Sequence, residues 1–307
     1  MTDIWLPALE GTNPLGFLAA LGVLDSLAGV MPDVTLRWSD ELVPCAVIGG
    51  VSDVDGLLDV LDNDREAWES SPLLAFQVDG RPLSDAKPDQ EQLRRWFEFV
   101  SGPEGSLVAT DHLCAIVAED ALDGKLHAKP THLHFTAGQQ QWLKMIRELM
   151  AGVDRGRLQE AICGPWRYDS SLPSLSWDSR GERVYAVRAV NPSNETRLGV
   201  PGADWLAFRG LVFYPVMRTE RGALRTTACN DAWKASAFRW PLWKKPISRN
   251  VARSLVADSG LVTRGATARP ADLAARGIIS VRQSRVRRTD QGGYGSFGAS
   301  ETLASVG

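Results

Sequence analysis

Residues 11–29 read Gly11-Thr12-Asn13-Pro14-Leu15-Gly16-Phe17-Leu18-Ala19-Ala20-Leu21-Gly22-Val23-Leu24-Asp25-Ser26-Leu27-Ala28-Gly29. Asn13 has the side chain of a helix N-cap, Pro14 suits the first helical position because its missing N–H has no intrahelical partner there, and Gly29 suits the end. Leu15, Leu18, Leu21, Leu24 and Leu27 supply so much apolar surface that this helix is expected to be buried. A second stretch, Leu206-Ala207-Phe208-Arg209-Gly210-Leu211, matches Leu18-Ala19-Ala20-Leu21-Gly22-Val23 with Leu, Ala and Gly in common. Each follows a turn bearing Asn-Pro (Asn13-Pro14, Asn191-Pro192) and precedes strand-like sequence. Six positions fit either two related halves or a generic helix-to-strand packing pattern.

Outward from that helix, Val34-Thr35-Leu36-Arg37-Trp38 alternates as a half-buried strand does. Val54, Leu57, Leu58 and Leu61 predict a helix from Asp53, and Leu93, Trp96, Phe97 and Val100 predict another from Asp89 to Ser101, closed by Gly102. Thr136-Ala137-Gly138-Gln139 has the form of a capping box, which predicts a helix over residues 137–150 with Trp142, Met145, Ile146, Leu149 and Met150 as its apolar stripe. Arg183–Val190 and Leu211–Val216 have strand composition, with a short helix near Asp204–Arg209 between them. Pro270 and Gly277 bracket a further short helix that leads into a strand at Ile278–Arg282. The Gly-rich run Gln291–Gly298 is expected to stay mobile or to order only against a partner. Helix and strand mix throughout, so the class is α+β, with mixed helices and antiparallel sheet. A length of 307 residues allows two domains: an acidic, helix-rich half over 1–165, and a basic, aromatic-rich α+β half over 166–307 with a Gly-rich tail.

Charge is segregated along the chain. Before Lys125 there are 6 basic residues against 23 acidic; from Lys125 onward there are 28 against 14. Between Ala232 and Thr289 thirteen basic residues face only Asp258 and Asp272. Such an excess either meets a polyanion or is neutralised inside the protein, and isolated surface pairs stabilise too little to account for the segregation. The acidic half would repel nucleic acid and suits a protein neighbour.

The four histidines, His112, His127, His132 and His134, all lie within residues 112–134. With Asp111 and Cys114 upstream, His132 and His134 supply one arm of a metal site and no second arm. His134-Phe135-Thr136 has the H-x-T form of two-histidine phosphoesterases but occurs once, where the chemistry needs two. Structural histidines are the simpler reading, with a His-dependent RNA-processing endonuclease as the alternative. Phosphate-binding loops, dinucleotide fingerprints and nucleophile elbows are missing. No catalytic residue, metal or cofactor is expected. Cys45, Cys114, Cys163 and Cys229 form no C-x-x-C pair and are expected to be reduced, as in the cytoplasm. No signal peptide and no membrane-spanning run are expected.

Rings and cations interleave in the basic half, at Trp233-Lys234, Phe238-Arg239-Trp240 and Trp243-Lys244-Lys245. Bases stack on rings while neighbouring cations hold phosphates; alternatively such rings fill a core and the cations reach out to water. Trp205 and Trp233 read as core. Trp240 and Trp243, beside Pro241 and Pro246 in an expected loop, leave exposure and burial equally open. The candidate nucleic-acid-binding residues are Arg239, Trp240, Trp243, Lys244, Lys245, Arg249, Arg253, Arg282, Arg285, Arg287 and Arg288. The last four are expected to matter more for nucleic acid than for folding, because acidic partners are scarce nearby in sequence.

The opening, Leu6-Pro7-Ala8-Leu9-Glu10-Gly11-Thr12-Asn13-Pro14-Leu15-Gly16-Phe17-Leu18-Ala19-Ala20-Leu21-Gly22, resembles the start of accessory and large-subunit proteins of type I-G (formerly I-U) CRISPR effector systems. Ala203-Asp204-Trp205-Leu206-Ala207-Phe208-Arg209-Gly210-Leu211 resembles a second block of those proteins, and Phe238-Arg239-Trp240-Pro241-Leu242-Trp243 a third. None is a catalytic motif. The resemblance implies a subunit of an RNA-guided surveillance complex in antiviral defence. Its implied partners are guide RNA or target DNA, the other subunits, and a helicase-nuclease that it helps recruit. Sequence specificity would come from base pairing, with the protein reading backbone shape. The chain is short for a large subunit, which leaves a smaller accessory role open.

Overall fold

The computed structural model describes residues 2–103, 105–136, 140–181, 198–230, 233, 236–262, 269–288 and 295–306. Strand β1 (Thr2–Glu10) leads into helix α1 (Pro14–Ala28), then β2 (Thr35–Trp38) and β3 (Cys45–Val51). Their antiparallel sheet has the order β1-β3-β2, with Trp5 opposite Val47 and Leu36 opposite Ile48. Asn13 caps α1 as expected, its Oδ1 accepting the Leu15 N–H at 3.1 Å, and Leu15 to Leu27 are buried.

Helix α2 (Val54–Ala67) starts at Asp53, whose carboxylate accepts the Gly56 N–H at 2.7 Å. It is followed by α3 (Pro72–Ala75), the hairpin of β4 (Gln77–Val78) and β5 (Arg81–Pro82), α4 (Gln90–Ser101) and α5 (Leu107–Ile116). A capping box opens α4: the Gln92 N–H donates to Asp89 and the Asp89 N–H to Gln92. Helix α6 (Trp142–Gly152) begins later than the sequence predicts, after Gln141. Residues 137–139 of the expected capping box lie outside the described residues, and the Thr136 hydroxyl instead meets His134 Nε2 at 3.0 Å. Of the predicted stripe, Trp142, Met145, Ile146 and Leu149 are buried and Met150 is partly buried against the core. Helix α7 (Arg155–Cys163) completes the N-terminal half.

In the C-terminal half, α8 (Pro201–Gly210) lies against α1 and runs directly into a 3-10 turn at Leu211–Phe213. This corrects the strand expected over Leu211–Val216. Leu211, Val212, Phe213 and Tyr214 are all buried, and a helical turn lets successive large side chains reach different parts of the core. The expected strand at Arg183–Val190 and the Asn191-Pro192 loop lie outside the described residues. The hairpin of β6 (Val216–Arg218) and β7 (Leu224–Thr226) precedes β8 (Ala237–Trp243), α9 (Arg249–Ala257), α10 (Ser259–Val262) and α11 (Pro270–Ala275). The long strand β9 (Ile278–Arg288) then pairs antiparallel with β8, β10 (Gly295–Phe297) and β11 (Glu301–Ser305).

Two further expectations are corrected here. Residues 240–243 are strand rather than loop; Pro241 is tolerated because β8 is bonded in this sheet to β9 alone, and an edge position needs no donor on its outer side. Of the Gly-rich run, residues 291–294 lie outside the described residues, and Gly295–Phe297 pairs with β9, with Phe297 fully buried between Phe135 and Phe238. Gly295 permits this, because a Cβ there would collide with the Phe135 ring.

One apolar core crosses the 165/166 boundary, joining Leu18, Trp38 and Trp142 to Trp205, Phe208, Trp240 and Trp243. Trp240 Nε1 donates to Gly11 O and Trp243 Nε1 to Leu36 O, each at 2.8 Å, while Leu36 and Ile247 exchange two backbone hydrogen bonds. The whole is α+β with antiparallel sheets. Among the described residues no helix is long and apolar enough to cross a membrane.

Candidate nucleic-acid interface

Alternation along β9 sorts its arginines onto two faces. Register places Trp240 opposite Arg282, Phe238 opposite Ser284, and Phe297 opposite Val286, so the even-numbered residues of β9 share the core-facing side. Arg239 opposite Gln283, and Ala237 opposite Arg285, lie on the other side with Arg287. Helix α11 packs on β9 near its start, and the outer face opens toward Arg285, whose side chain is 75% exposed, and Arg287. Arg239 Nε donates to Gln283 Oε1 at 2.7 Å, and Gln283 Nε2 to Glu301 Oε1 at 2.8 Å. Arg285 Nε stands 4.0 Å from the same carboxylate.

The core-facing pair behaves differently. Arg282 donates to Thr302 Oγ1 (2.6 Å) and Ser300 Oγ (2.9 Å), and Ser300 in turn donates to Thr12 O. Arg288 donates to the carbonyls of His134 (3.3 Å) and His132 (3.2 Å). Its guanidinium lies 3.9 Å from the centroid of the Trp233 ring and 5.6 Å from that of Phe135. Burial lowers the pKa of both arginines, Arg288 to about 10, so each remains a cation at neutral pH. Arg282 and Arg288 are therefore built into the tertiary structure, which corrects the expectation that all four arginines act mainly outside folding.

The structure decides the tryptophans that the sequence leaves open and reverses one, Trp233. Trp240 and Trp243 are buried at 0% and 1% exposure and hold the two halves together, so neither ring is available to a base. Trp205 is core as expected, whereas Trp233 is 40% exposed. Sequence reasoning placed Trp233 inside; the signal that could have found it is its place in the interleaved ring-cation pattern, beside Lys234.

Much of the remaining basic set meets the acidic half. Arg249 Nε lies 2.6 Å from Asp25 and Arg253 Nη1 lies 3.2 Å from Asp111. Lys244 pairs with Asp40 at 2.6 Å across exposed side chains, and Lys245 is exposed beside Gly277. Deeper in, Arg209 is 2% exposed and binds Asp25 at 3.0 Å and Asp64 through two nitrogens at 2.8 and 3.0 Å, with its guanidinium 4.7 Å from the Trp68 ring centroid. Internal neutralisation thus accounts for Arg249 and Arg253, which the sequence assigns to nucleic acid.

The histidines, clustered within residues 112–134, diverge in space. His112 is fully buried; its Nδ1–H donates to Val108 O (2.9 Å), leaving Nε2 to accept from Arg209 Nη1 (2.7 Å). Burial, reinforced by the Arg209 charge, pulls its pKa down to about 4, so it is neutral at pH 7. His127 stands at the surface near Asp123. His132 is 2% exposed with Nδ1 on Thr226 Oγ1 at 3.0 Å. His134 is 4% exposed with Nε2 at 3.0 Å from both Asp85 Oδ1 and Thr136 Oγ1. Burial opposes ionisation of Asp85, yet the His134 bond and the charges around it hold its pKa down to about 2. Burial lowers the His134 pKa. Among the described residues no group of three or more metal-ligating side chains is placed to hold an ion, and all four cysteines are free.

What this geometry gathers is one end of β9. Arg285 and Arg287 emerge outward, Arg288 is held beneath Trp233, and Arg285 stands 4.0 Å from Glu301, itself engaged by Gln283. No family model matches the chain, and no curated protein matches it.

Proposed function

We propose that the chain is a nucleic-acid-binding subunit of an RNA-guided type I-G CRISPR surveillance complex, holding guide RNA or target DNA at the Arg288 end of β9. One observation carries the reading: an exposed tryptophan and three arginines occupy that strand end, Arg285 and Arg287 on its outer face and Arg288 against Trp233 on the other, with the Glu301 carboxylate 4.0 Å from Arg285. The three sequence blocks support membership of the complex. Specificity would be left to base pairing, with the arginines gripping phosphates. The acidic half, where Asp55, Asp59 and Asp62 lie along α2, suits a protein neighbour, and the helicase-nuclease is such a partner.

The test is a filter-binding titration of the full chain at several salt concentrations. Binding should weaken steeply with salt, because each neutralised phosphate releases counterions. R285Q/R287Q should weaken it about tenfold and lower the slope of log K against log salt by about 1.5 on single strands. A flat salt response in the wild type overturns the proposal. Cleavage of the bound RNA that disappears in His134→Ala would replace it with a nuclease.

A further inference from the structure

We infer that Trp233 is a stacking platform for one unpaired base, so that the end of β9 takes single-stranded rather than duplex nucleic acid. This rests on the proposed function and names the form of the ligand at that same site. The guanidinium of Arg288 lies 3.9 Å from the Trp233 centroid, a cation–π distance, and the backbone carbonyls of His134 and His132 hold its Nη1 and Nη2. The indole is thereby oriented before any ligand arrives. Its 40% exposure leaves ring surface open to solvent, unlike the other tryptophans of the nearby sheet, Trp240 and Trp243.

Arg288 also lacks a carboxylate partner among the described residues; its contacts are two carbonyls and two rings. A half-buried cation in that state favours an anion nearby, and the phosphate flanking a stacked base supplies one. In a duplex both faces of every internal base are already stacked and cannot reach a ring. The outward arginines Arg285 and Arg287 lie on the outer face of the same strand end, so a nucleic-acid strand that passes round that end would meet them.

The experiment measures binding of the full chain to three fluorescein-labelled probes of equal length: a thymidine oligomer, the same backbone without bases, and a duplex. The oligomer should bind about tenfold more tightly than the abasic strand. Trp233→Ala should remove that preference while leaving abasic and duplex binding unchanged, and Trp233→Phe should keep most of it. Equal wild-type affinity for the oligomer and the abasic strand would overturn the inference while leaving the proposed function standing. Failure of the wild type to bind any probe at low salt would overturn both. The abasic comparison uses unaltered protein, so the outcome does not depend on how well either variant folds.

Discussion

Gly22 of α1 and Gly210 of α8 face each other in a reciprocal contact. A Cβ at Gly22 would run into the carbonyl of Leu206 and come within 3.0 Å of Gly210 N; a Cβ at Gly210 would run into the carbonyl of Leu18 and come within 3.1 Å of Gly22 N. Leu18 stands four residues before Gly22, as Leu206 does before Gly210, so the two similar stretches meet symmetrically. The helix backbones touch because neither glycine carries a side chain.

Alanine at either glycine should therefore be destabilising, although it is the better helix former. Relief requires two buried helices to move apart within a close-packed core, and overpacking of that kind costs about 1–3 kcal/mol and sometimes more. We expect G22A and G210A each to lose at least about 3 kcal/mol in urea unfolding. A gain in stability, as alanine gives in an exposed helix, would show that the helices separate freely.

Arg209 should be as sensitive, for an electrostatic reason. Its removal leaves the partly buried Asp64 without its cation and the buried Asp25 with only Arg249. Breaking a buried pair in this way costs about 3–5 kcal/mol. R209M should show that loss by denaturant unfolding, and R209M/D64N should recover a measurable part of it. Equal losses in the single and double variants would mean that Asp64 is well solvated without its partner.

Asp204 sets a pH dependence of definite sign. It is fully buried; Oδ1 accepts the Leu175 N–H at 3.1 Å, and burial pushes its pKa up to about 8, with the neighbouring Asp178 charge adding to the rise. The folded state thus keeps a proton that the unfolded chain releases near 3.8. Its stabilising contribution is complete below that value and is lost as pH rises to 8. D204N holds a neutral side chain of the same shape throughout, so its stability relative to the wild type should climb across this window by on the order of 2–5 kcal/mol. Urea midpoints at pH 5, 6.5 and 8 measure this. Parallel profiles would show that Asp204 is ionised in the fold.

Where local chemistry acts alone, the elements follow from the residues that make them. Asn13, Asp53 and Asp89 cap their helices as their types and spacings require, and Pro270 with Gly277 brackets α11. Asp89 even closes a capping box with Gln92. The departures come where a distant partner competes. Thr136 bonds His134 rather than serving as the cap of α6, and residues 240–243 become strand because they pair with β9, while Gly11 and Leu36 accept their indole protons from far away in sequence.

The candidate site was half legible for the same reason. Composition alone showed an excess of cations in the C-terminal half and rings placed among them. Which cations face solvent was decided by register: on β9 a shift of one residue exchanges Arg285 and Arg287 for Arg282 and Arg288. Which are neutralised was decided by folding, which brings Asp25 to Arg249 across 224 residues and Asp64 to Arg209 across 145. The sequence by itself determined the starts of α1, α2, α4 and α11, the buried character of α1, the α+β class and the separation of charge, because these depend on a few neighbouring residues. The tertiary structure alone decided that Trp240 and Trp243 are core, that Trp233 is exposed, and that four neighbouring histidines part company. Burial belongs to whatever packs against a side chain, and those partners come from remote parts of the chain.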